Sequence, residues 1–393
     1  MKKKLLAALI SVAMVATLLA GCGGGGDDTA TTDTTTDAAA ETEETTDAAE
    51  TEETADAEAT TDNSGLHLEI VSKGLQHAYW QAVLNGVNSK AEELGVTVNF
   101  VGPDSESNIQ QQVQQLETAL NADPSAIGLA ALDTNSVMDL LQTAVDSGIP
   151  IVGFDSGVPG APEGAIVANC STDNLAAGGL AADEVYALIS DRIANAEGTV
   201  RIGVVAQDAT SESVVNRGLG FIQEMASLVA DSGKTVGMAS VSNERYVTDS
   251  GVEVNDEADV VIEVRVPASV TSELSAADAS AILEQEDTIA IYGSNEHSAN
   301  GIITANENLN KCGTGEGQVI AAGFDSGASI MNAVRSGVFA GAITQAPVAM
   351  GEKLVETLVA AANGETVEDI DTGCQWYTAE NMDDPEIAQN LYE

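Results

Sequence analysis

The chain contains 393 residues, with 62 Asp or Glu against 14 Lys or Arg, which gives a formal net charge of −48. In residues 65–393 the basic residues are scattered singly, and this makes nucleic acid and anionic membrane surfaces poor partners. The three histidines, His67, His77 and His297, are far apart and lack paired metal-ligand spacing, so we expect no metal site. We interpret the many Asp and Glu residues as a solubilising surface.

The first 22 residues have the pattern of an export signal. Three lysines follow Met1, and a short apolar stretch covers residues 5–20, which is typical of a signal peptide rather than of a membrane span. Residues 18–22 resemble the lipobox of bacterial lipoproteins, which implies that Cys22 is lipidated and anchors the chain to a lipid bilayer. The alternative is a plain secretory signal in which Cys22 is incidental.

Residues 23–65 are built almost entirely of Gly, Thr, Ala, Asp and Glu. Between residues 27 and 62 there is no Lys, Arg or aromatic residue, so this stretch cannot bury enough apolar surface to offset its chain entropy. It is predicted to be a disordered, self-repelling tether.

The remainder of the chain alternates strand patterns with helical stripes. Alternating or continuous apolar runs predict strands, and apolar residues at spacings of three and four, such as Tyr79, Val83 and Val87, predict the helices between them. This order predicts an α/β fold with parallel sheets and right-handed crossovers, long enough for two lobes. The predicted strands are 66–70, 96–100, 126–132, 149–154, 199–206, 236–241, 260–266, 289–292, 319–323 and 339–344. Residues 243–259 break the alternation and are interpreted as a surface excursion, with a β-hairpin as one form of it.

The pentapeptide Gly-Phe-Asp-Ser-Gly occurs twice, at residues 153–157 and 323–327. Each copy closes an apolar run, and in open α/β sheets ligands bind at the carboxyl ends of such strands. We therefore expect Asp155 and Asp325 to offer one carboxylate from each lobe to a shared cleft. The alternative is that both are strand-end aspartates that cap the following helices.

Taken together, the signal, the tether and the β/α alternation with residues 153–157, 293–296 and 321–327 resemble type I periplasmic sugar-binding proteins, the ribose- and galactose-binding group. The resemblance implies two Rossmann-like lobes joined by three crossovers. By position, lobe 1 is predicted at residues 66–168 plus 346–370, and lobe 2 at 169–345 plus 371–393.

The resemblance also implies a ligand site between the lobes. His77 would supply a polar group, Tyr79 and Trp80 the stacking rings, Asp155 and Asp325 the carboxylates and Arg217 the donors. Core packing is the alternative for the two rings, and a surface position is the alternative for Arg217. The predicted set is completed by two amides, Asn295 and Gln345.

Three positions depart from the ribose-binding pattern. Ser156 stands where ribose binders carry an arginine, Ala131 stands at an amide position, and His77 replaces an asparagine. We therefore expect a ligand other than ribose: a larger sugar, an alditol or another polar molecule. Of the remaining cysteines, Cys170, Cys312 and Cys374, the last two lie in loop-like sequence and are predicted to pair, although sequence alone does not fix connectivity.

The functional prediction is a monomeric, extracytoplasmic lipoprotein that captures a small polar solute, a monosaccharide above all, and delivers it to an ABC permease. We expect no catalytic residues and no cofactor, because nucleophile elbows and phosphate-binding loops are missing from the sequence. A sensor that serves a chemoreceptor or signalling kinase, and a nucleoside-binding lipoprotein, remain open. A repressor is disfavoured by the export signal and the acidic tether. The anchor could face a periplasm or the outside of a single-membrane cell.

Overall fold

The computed structural model describes residues 63–392. The predicted signal peptide, Cys22 and the tether as far as residue 62 lie outside these residues. Within the described part, none of the helices has both the length and the apolar character that a membrane span needs.

Two sheets form the framework of the described residues. Ten of their strands overlap the predicted ones, and the strands at 166–171, 370–371 and 374–377 were not predicted. The strands are β1 (His67–Val71), β2 (Thr97–Val101), β3 (Ala126–Leu129), β4 (Ile151–Phe154), β5 (Ile166–Ser171), β6 (Val200–Val205), β7 (Val236–Met238), β8 (Val260–Arg265), β9 (Thr288–Gly293), β10 (Ile320–Phe324), β11 (Gly341–Gln345), β12 (Ile370–Asp371) and β13 (Cys374–Tyr377).

Helices cover both faces of each sheet. They are α1 (Ala78–Leu94), α2 (Ile109–Leu120), α3 (Met138–Ser147), α4 (Asn174–Ala194), α5 (Glu212–Asp231), α6 (Glu244–Ser250), α7 (Ser272–Leu283), α8 (Glu296–Leu309), α9 (Ala328–Arg335), α10 (Pro347–Ala362) and α11 (Pro385–Ala388).

The strands divide into one sheet per lobe. The first has the order β12-β5-β4-β3-β1-β2 and is wholly parallel. The second has the order β13-β11-β10-β9-β6-β8-β7, and in it only β13 runs antiparallel to its neighbour β11. The predicted fold class, α/β with two lobes of parallel strands, is confirmed. The loops that follow β4 and β10 lie at the carboxyl ends of these strands, and Asp155 and Asp325 in them line one cavity.

The chain passes between the sheets three times. The passages come after β5, which continues to Ser171, after β11, which ends at Gln345, and after β12, whose Ile370 and Asp371 still pair in the first sheet. We therefore propose boundaries just beyond residues 171, 345 and 371, of which the first lies a little later than the predicted 168. Tyr392, near the carboxyl end, packs among the core residues of lobe 1.

The expected surface excursion at residues 243–259 contains a helix, and the β-hairpin interpretation is wrong. Asn243 accepts a hydrogen bond from the backbone N–H of Arg245 and caps the start of α6, and Gly251 is its C-cap. Tyr246 is fully buried, so this short helix carries a core side chain that the acidic sequence around it obscured. Since β7 and β8 are parallel, α6 is their crossover connection.

The predicted bridge between Cys312 and Cys374 does not form, and the three cysteines of the described residues are free thiols. Cys312 belongs to the core cluster that contains Ala321 and Ala342, on one face of the second sheet. Cys374 packs against the cluster of Ala322 and Ile343, on the other face. Successive residues of a strand point to opposite faces, so the sheet itself separates the two sulfur atoms.

Each lobe places two helices in contact through glycines. In lobe 2, a Cβ added at Gly220 of α5 would collide with the carbonyl oxygen of Leu175 in α4, and one added at Gly178 would collide with that of Arg217. In lobe 1 the same kind of approach joins Gly86 of α1 to Val348 of α10. These approaches bring α4 and α5 close enough for residues of both helices to reach the cleft.

We expect Gly220→Ala to lower the free energy of unfolding by about 1–3 kcal/mol, because the new methyl group must push α5 away from α4. Urea unfolding followed by circular dichroism measures this change. Gly198→Ala is the matched control, since a Cβ there meets no atom within 4 Å. Equal stability of the two variants would contradict the close helix contact.

Candidate functional site: the cleft between the lobes

The two copies of the repeated pentapeptide adopt the same backbone conformation. Asp155 follows β4 with a φ of 56°, and Asp325 follows β10 with a φ of 74°, so both lie in the left-handed region. Each backbone N–H donates to the next strand of its own sheet: Asp155 to the carbonyl of Cys170 over 3.1 Å and Asp325 to that of Ile343 over 2.7 Å. Such a conformation costs a non-glycine residue about 1–3 kcal/mol and persists where the surroundings fix it. The two sheets thus hold both carboxylates at the cleft.

Asp155 is neutralised within its own lobe. The ammonium of Lys73, just beyond β1, lies 2.7 Å from Asp155 Oδ2, and the Tyr79 hydroxyl donates to Oδ1 over 2.8 Å. Both partners of the ion pair are about 95% buried. Burial alone would raise the pKa of Asp155, but Lys73 and Arg217 outweigh it and lower that pKa below its usual value. Asp155 is therefore held as an acceptor-only carboxylate.

Lys73 also connects the two lobes. Its Nζ donates to the hydroxyls of Ser211 and Ser213, each over 2.9 Å, at the start of α5 in lobe 2. The three N–H groups of this ammonium thus have one carboxylate and two hydroxyl partners. Lys73 was missed in the sequence, where it is only one residue in the loop after a strand.

Arg217 of α5 lies between the two aspartates. Its Nη2 is 3.9 Å from Asp155 Oδ1 and its Nη1 is 3.7 Å from Asp325 Oδ2. Nε donates to Asn174 and Nη2 to Gln345, and the guanidinium lies 3.9 Å above the ring centre of Phe324. Burial favours loss of its charge, but the two aspartates reverse this and raise the pKa of Arg217. The surface alternative for Arg217 is thereby excluded, since the residue is 3% exposed.

Asp325 has fewer charged partners than Asp155. Its Oδ1 accepts from Gln345 Nε2 over 2.6 Å and its Oδ2 from the backbone N–H of Glu296 over 3.0 Å. Burial raises the pKa of Asp325, and the single nearby guanidinium of Arg217 does not overcome this. The two aspartates of the repeated motif thus differ in proton affinity, with Asp325 the more readily protonated.

The outer end of the cleft is acidic. Glu106, in the loop after β2, accepts from Trp80 Nε1 over 2.8 Å and from Gln207 Nε2 over 3.2 Å, so it reaches from lobe 1 to lobe 2. Glu296, the first residue of α8, lies 3.7 Å from the Nδ1 of His77 in lobe 1. Hydrogen bonds and an ion pair therefore close the mouth of the cleft as well as its interior.

Two histidines of the cleft have opposite electrostatic surroundings. The nearby Glu296 carboxylate, assisted by the charge of Glu106 and opposed by burial, raises the pKa of His77 to about 9. Burial lowers the pKa of His297, so its ring is neutral, and its Nε2 has no hydrogen-bond partner among the described residues. The cleft therefore contains an imidazolium donor and a separate imidazole acceptor.

Tyr79 and Trp80 belong to the core of lobe 1 and also line the cleft. They are 6% and 2% exposed, and their ring centres lie 4.9 Å apart in an edge-to-face arrangement. Tyr392 and Phe154 make further edge contacts with them. Both rings are therefore packed in the core, as the alternative held. Their polar atoms also contact the cleft: the Tyr79 hydroxyl donates to Asp155, and the Trp80 indole N–H donates to Glu106.

The structure brings all the predicted ligand residues into one cavity. It also adds residues that the sequence analysis missed, of which Glu296 and His297 follow directly on the predicted Asn295. The predicted ones are His77, Tyr79, Trp80, Asp155, Arg217, Asn295, Asp325 and Gln345, and the additional ones are Lys73, Glu106, Gln207, Ser213, Val214, Glu296 and His297.

The alternative that Asp155 and Asp325 cap the helices after them does not hold. No helix follows Asp155 directly, and α9 begins after Gly327, so neither aspartate caps the next helix as an N-cap.

Asn295 is itself the N-cap of α8 and donates to Gln207 Oε1 over 2.8 Å. Ser156, at the position where ribose binders carry an arginine, accepts from the backbone N–H of Ser213 across the lobes. No cluster of possible metal ligands occurs within residues 63–392.

Comparison with known proteins gives consistent matches. The family model of the periplasmic binding protein domain matches residues 68–366. The ribose import binding protein RbsB of Haemophilus influenzae is 25% identical over 302 residues, which cover 75% of this chain and 85% of that protein.

Solved structures match over a similar span. One is a protein from Brachyspira murdochii described as "ABC transporter, LacI family transcriptional regulator". It is 31% identical with a TM-score of 0.69, and the match covers 84% of this chain and all of that one. An ABC transporter solute binding protein from Agrobacterium vitis with bound D-fucose is 26% identical with a TM-score of 0.67, covering 83% of this chain and all of that one.

Replacing Lys73 by Met should lower the free energy of unfolding by about 3–5 kcal/mol, because Asp155 would stay buried without its ammonium partner. Chemical unfolding at neutral pH measures the loss. The double variant Lys73→Met/Asp155→Asn should recover much of it, and Lys353→Met, which removes an exposed surface pair, should change little. A small effect of Lys73→Met at neutral pH would show that the buried pair does not form.

The His77–Glu296 pair predicts a pH dependence. Because the pKa of His77 is raised from 6.5 to about 9, its contribution to stability is fully present below pH 6.5 and is lost as the pH rises to about 9. Between these values the melting temperature of the wild type should therefore fall more than that of His77→Gln. Glu296→Gln should flatten the profile in the same way. Parallel profiles for all three proteins would rule out the pair.

Proposed function

The chain belongs to the periplasmic binding protein domain family, and from this premise we propose that it is an extracytoplasmic solute-binding protein of an ABC importer. It captures a small polar solute, a monosaccharide above all, by closure of the two lobes. Relatives with matching folds include a ribose import binding protein and a solute binding protein with bound D-fucose. The observation that carries the proposal is that Asp155 and Asp325, one from each lobe, line a single cavity with Arg217 between them.

The chemistry of the cavity suits hydroxyl groups. A sugar hydroxyl donates one hydrogen bond and accepts others, so its site needs acceptors and donors at fixed positions. The carboxylates of Asp155 and Asp325 supply the acceptors, and the guanidinium of Arg217 and the amide of Gln345 supply donors. Charge-assisted bonds of this kind are about twice as strong as neutral ones.

The walls suit a sugar ring more than a stacked nucleobase. Tyr79 and Trp80 are packed edge to face, and both are almost fully buried. This geometry presents a rigid apolar wall rather than an open ring face. The packing therefore favours a compact polyhydroxylated solute over the nucleoside alternative.

Closure is supported by the contacts that cross the cleft. Lys73 reaches Ser211 and Ser213, and Glu212 accepts from the backbone N–H of Gly157 over 3.2 Å. A solute that touches both lobes favours the closed arrangement over the open one by its differential affinity. Opening at the three passages near residues 171, 345 and 371 would expose the cavity for loading and release.

The anchor and the partner complete the proposal. Lipidation of Cys22 would hold the chain at a bilayer, the acidic stretch that follows would act as a tether, and the closed lobes would dock on a permease. The family consists of binding proteins, and we propose that this chain carries out no catalytic step. Its two buried carboxylates act as hydrogen-bond acceptors.

The site assignment is tested by Asp325→Asn in the full-length chain. The variant keeps the shape of the side chain and loses the charge, so the affinity for any sugar found by a thermal-shift screen should fall by about 1–3 kcal/mol in calorimetry. Asp383→Asn, on the exposed surface, is the control and should bind like the wild type. Unchanged affinity in Asp325→Asn would refute the assignment.

A further inference from the structure

The charged groups that line the cavity do not balance. Lys73 pairs with Asp155, Arg217 lies beside Asp325, and His77 pairs with Glu296. A fourth carboxylate, Glu106, also lines the cavity. When these groups are ionised, one negative charge in the cavity has no cation of its own.

Glu106 is the unmatched carboxylate. Its two oxygens accept from the Trp80 indole N–H and the Gln207 amide, both neutral donors. No Lys, Arg or His of residues 63–392 forms an ion pair with it, although the carboxylate connects the two lobes. Hydrogen bonds from neutral groups satisfy its geometry and leave its charge uncompensated.

His77 responds to this excess. Its pKa is raised to about 9, chiefly by the Glu296 carboxylate 3.7 Å from its Nδ1 and also by the charge of Glu106. A proton is therefore held more tightly at this end of the cavity, and a positively charged ligand group experiences the same field.

The same end also offers unused acceptors. The buried Nε2 of His297 has no hydrogen-bond partner among the described residues, and burial lowers the pKa of this ring, so a neutral imidazole nitrogen is present that can accept. One oxygen of Glu296 faces His77, and the other has no hydrogen bond among the described residues. A ligand group here should therefore be rich in donors and carry positive charge.

We propose that the captured solute carries a protonated amino group, as an amino sugar or amino-alditol does, and that this group lies at the outer end of the cavity among Glu106, Glu296 and His297. An ammonium has three donors and no acceptor, which matches three acceptors and the surplus charge. The hydroxyls of the same solute face Asp155, Arg217 and Asp325. This inference rests on the proposed function, because it assigns the ligand class of that cavity.

The test compares matched sugars that differ only at one nitrogen or oxygen. Calorimetry on the full-length chain at slightly acidic pH uses galactose, galactosamine and N-acetylgalactosamine, and the corresponding glucose, mannose and alditol series. In at least one series the amine should bind about tenfold or more tightly than the neutral sugar, because opposite charges in contact in a partly buried cleft attract each other by about that factor. Acetylation, which removes the charge, should abolish the advantage.

Variants locate the amine. Glu106→Gln removes the surplus charge and keeps one acceptor oxygen for the Trp80 or Gln207 donor, so it should reduce the ratio of amine affinity to neutral-sugar affinity about tenfold. Glu117→Gln, on the exposed face of α2, is the matched control and should keep the preference. If Glu106→Gln folds poorly, titration of His77 by NMR in the wild type gives an independent reading. Binding of the amine should lower the pKa of His77 from about 9, and the neutral sugar should not.

The outcomes separate the two proposals. Neutral sugars that bind as tightly as their amines, with an unchanged His77 titration, overturn the inference and leave the sugar-binding function standing. If neither the neutral nor the aminated compounds bind, the proposed function fails and this inference fails with it.

Discussion

Arg217 determines how the two halves of this molecule can meet. Its buried side chain projects from α5 between two carboxylates, at 3.9 Å from Asp155 and 3.7 Å from Asp325. Each aspartate is fixed by its own sheet in a left-handed backbone conformation, so neither can turn away from the cleft. Two buried carboxylates at this separation would repel each other without the guanidinium, and the guanidinium would be uncompensated without them. The charged centre therefore ties the arrangement of the lobes to the chemistry of the site.

Much of this arrangement could be predicted because it follows from local patterns in the amino-acid sequence. Continuous apolar runs gave the parallel strands, and the repeated pentapeptide identified the two strand ends that carry Asp155 and Asp325. All eight predicted ligand residues line one cavity, since loops at the carboxyl ends of parallel strands meet at one edge of each sheet. Whether they bind a ligand stays a prediction. Arg217 and Gln345 were predicted as ligand residues only through the resemblance to sugar-binding proteins, because no apolar periodicity of the sequence identifies them.

What could not be predicted depends on partners distant in sequence. Lys73 is an ordinary loop lysine until the fold brings it to Asp155 and to the hydroxyls of Ser211 and Ser213. The helix α6 was hidden in acidic sequence because it is short and has no apolar stripe, although Tyr246 is fully buried and Val247 packs against the same core. The predicted bridge between Cys312 and Cys374 failed because loop-like sequence does not reveal which face of a sheet a side chain packs on.

The repeated motif does not produce repeated chemistry. Asp155 and Asp325 share their pentapeptide, their backbone conformation and their hydrogen bond to the next strand, yet the pKa of the first is lowered and that of the second is raised. The difference comes from Lys73, which lies beside Asp155 and has no counterpart beside Asp325. Asp155 is thus held in its ionised form more firmly than Asp325, which takes up a proton more readily. The two lobes are similar, but the electrostatic properties of the cleft between them differ from one aspartate to the other. Such a cleft can orient an asymmetric solute.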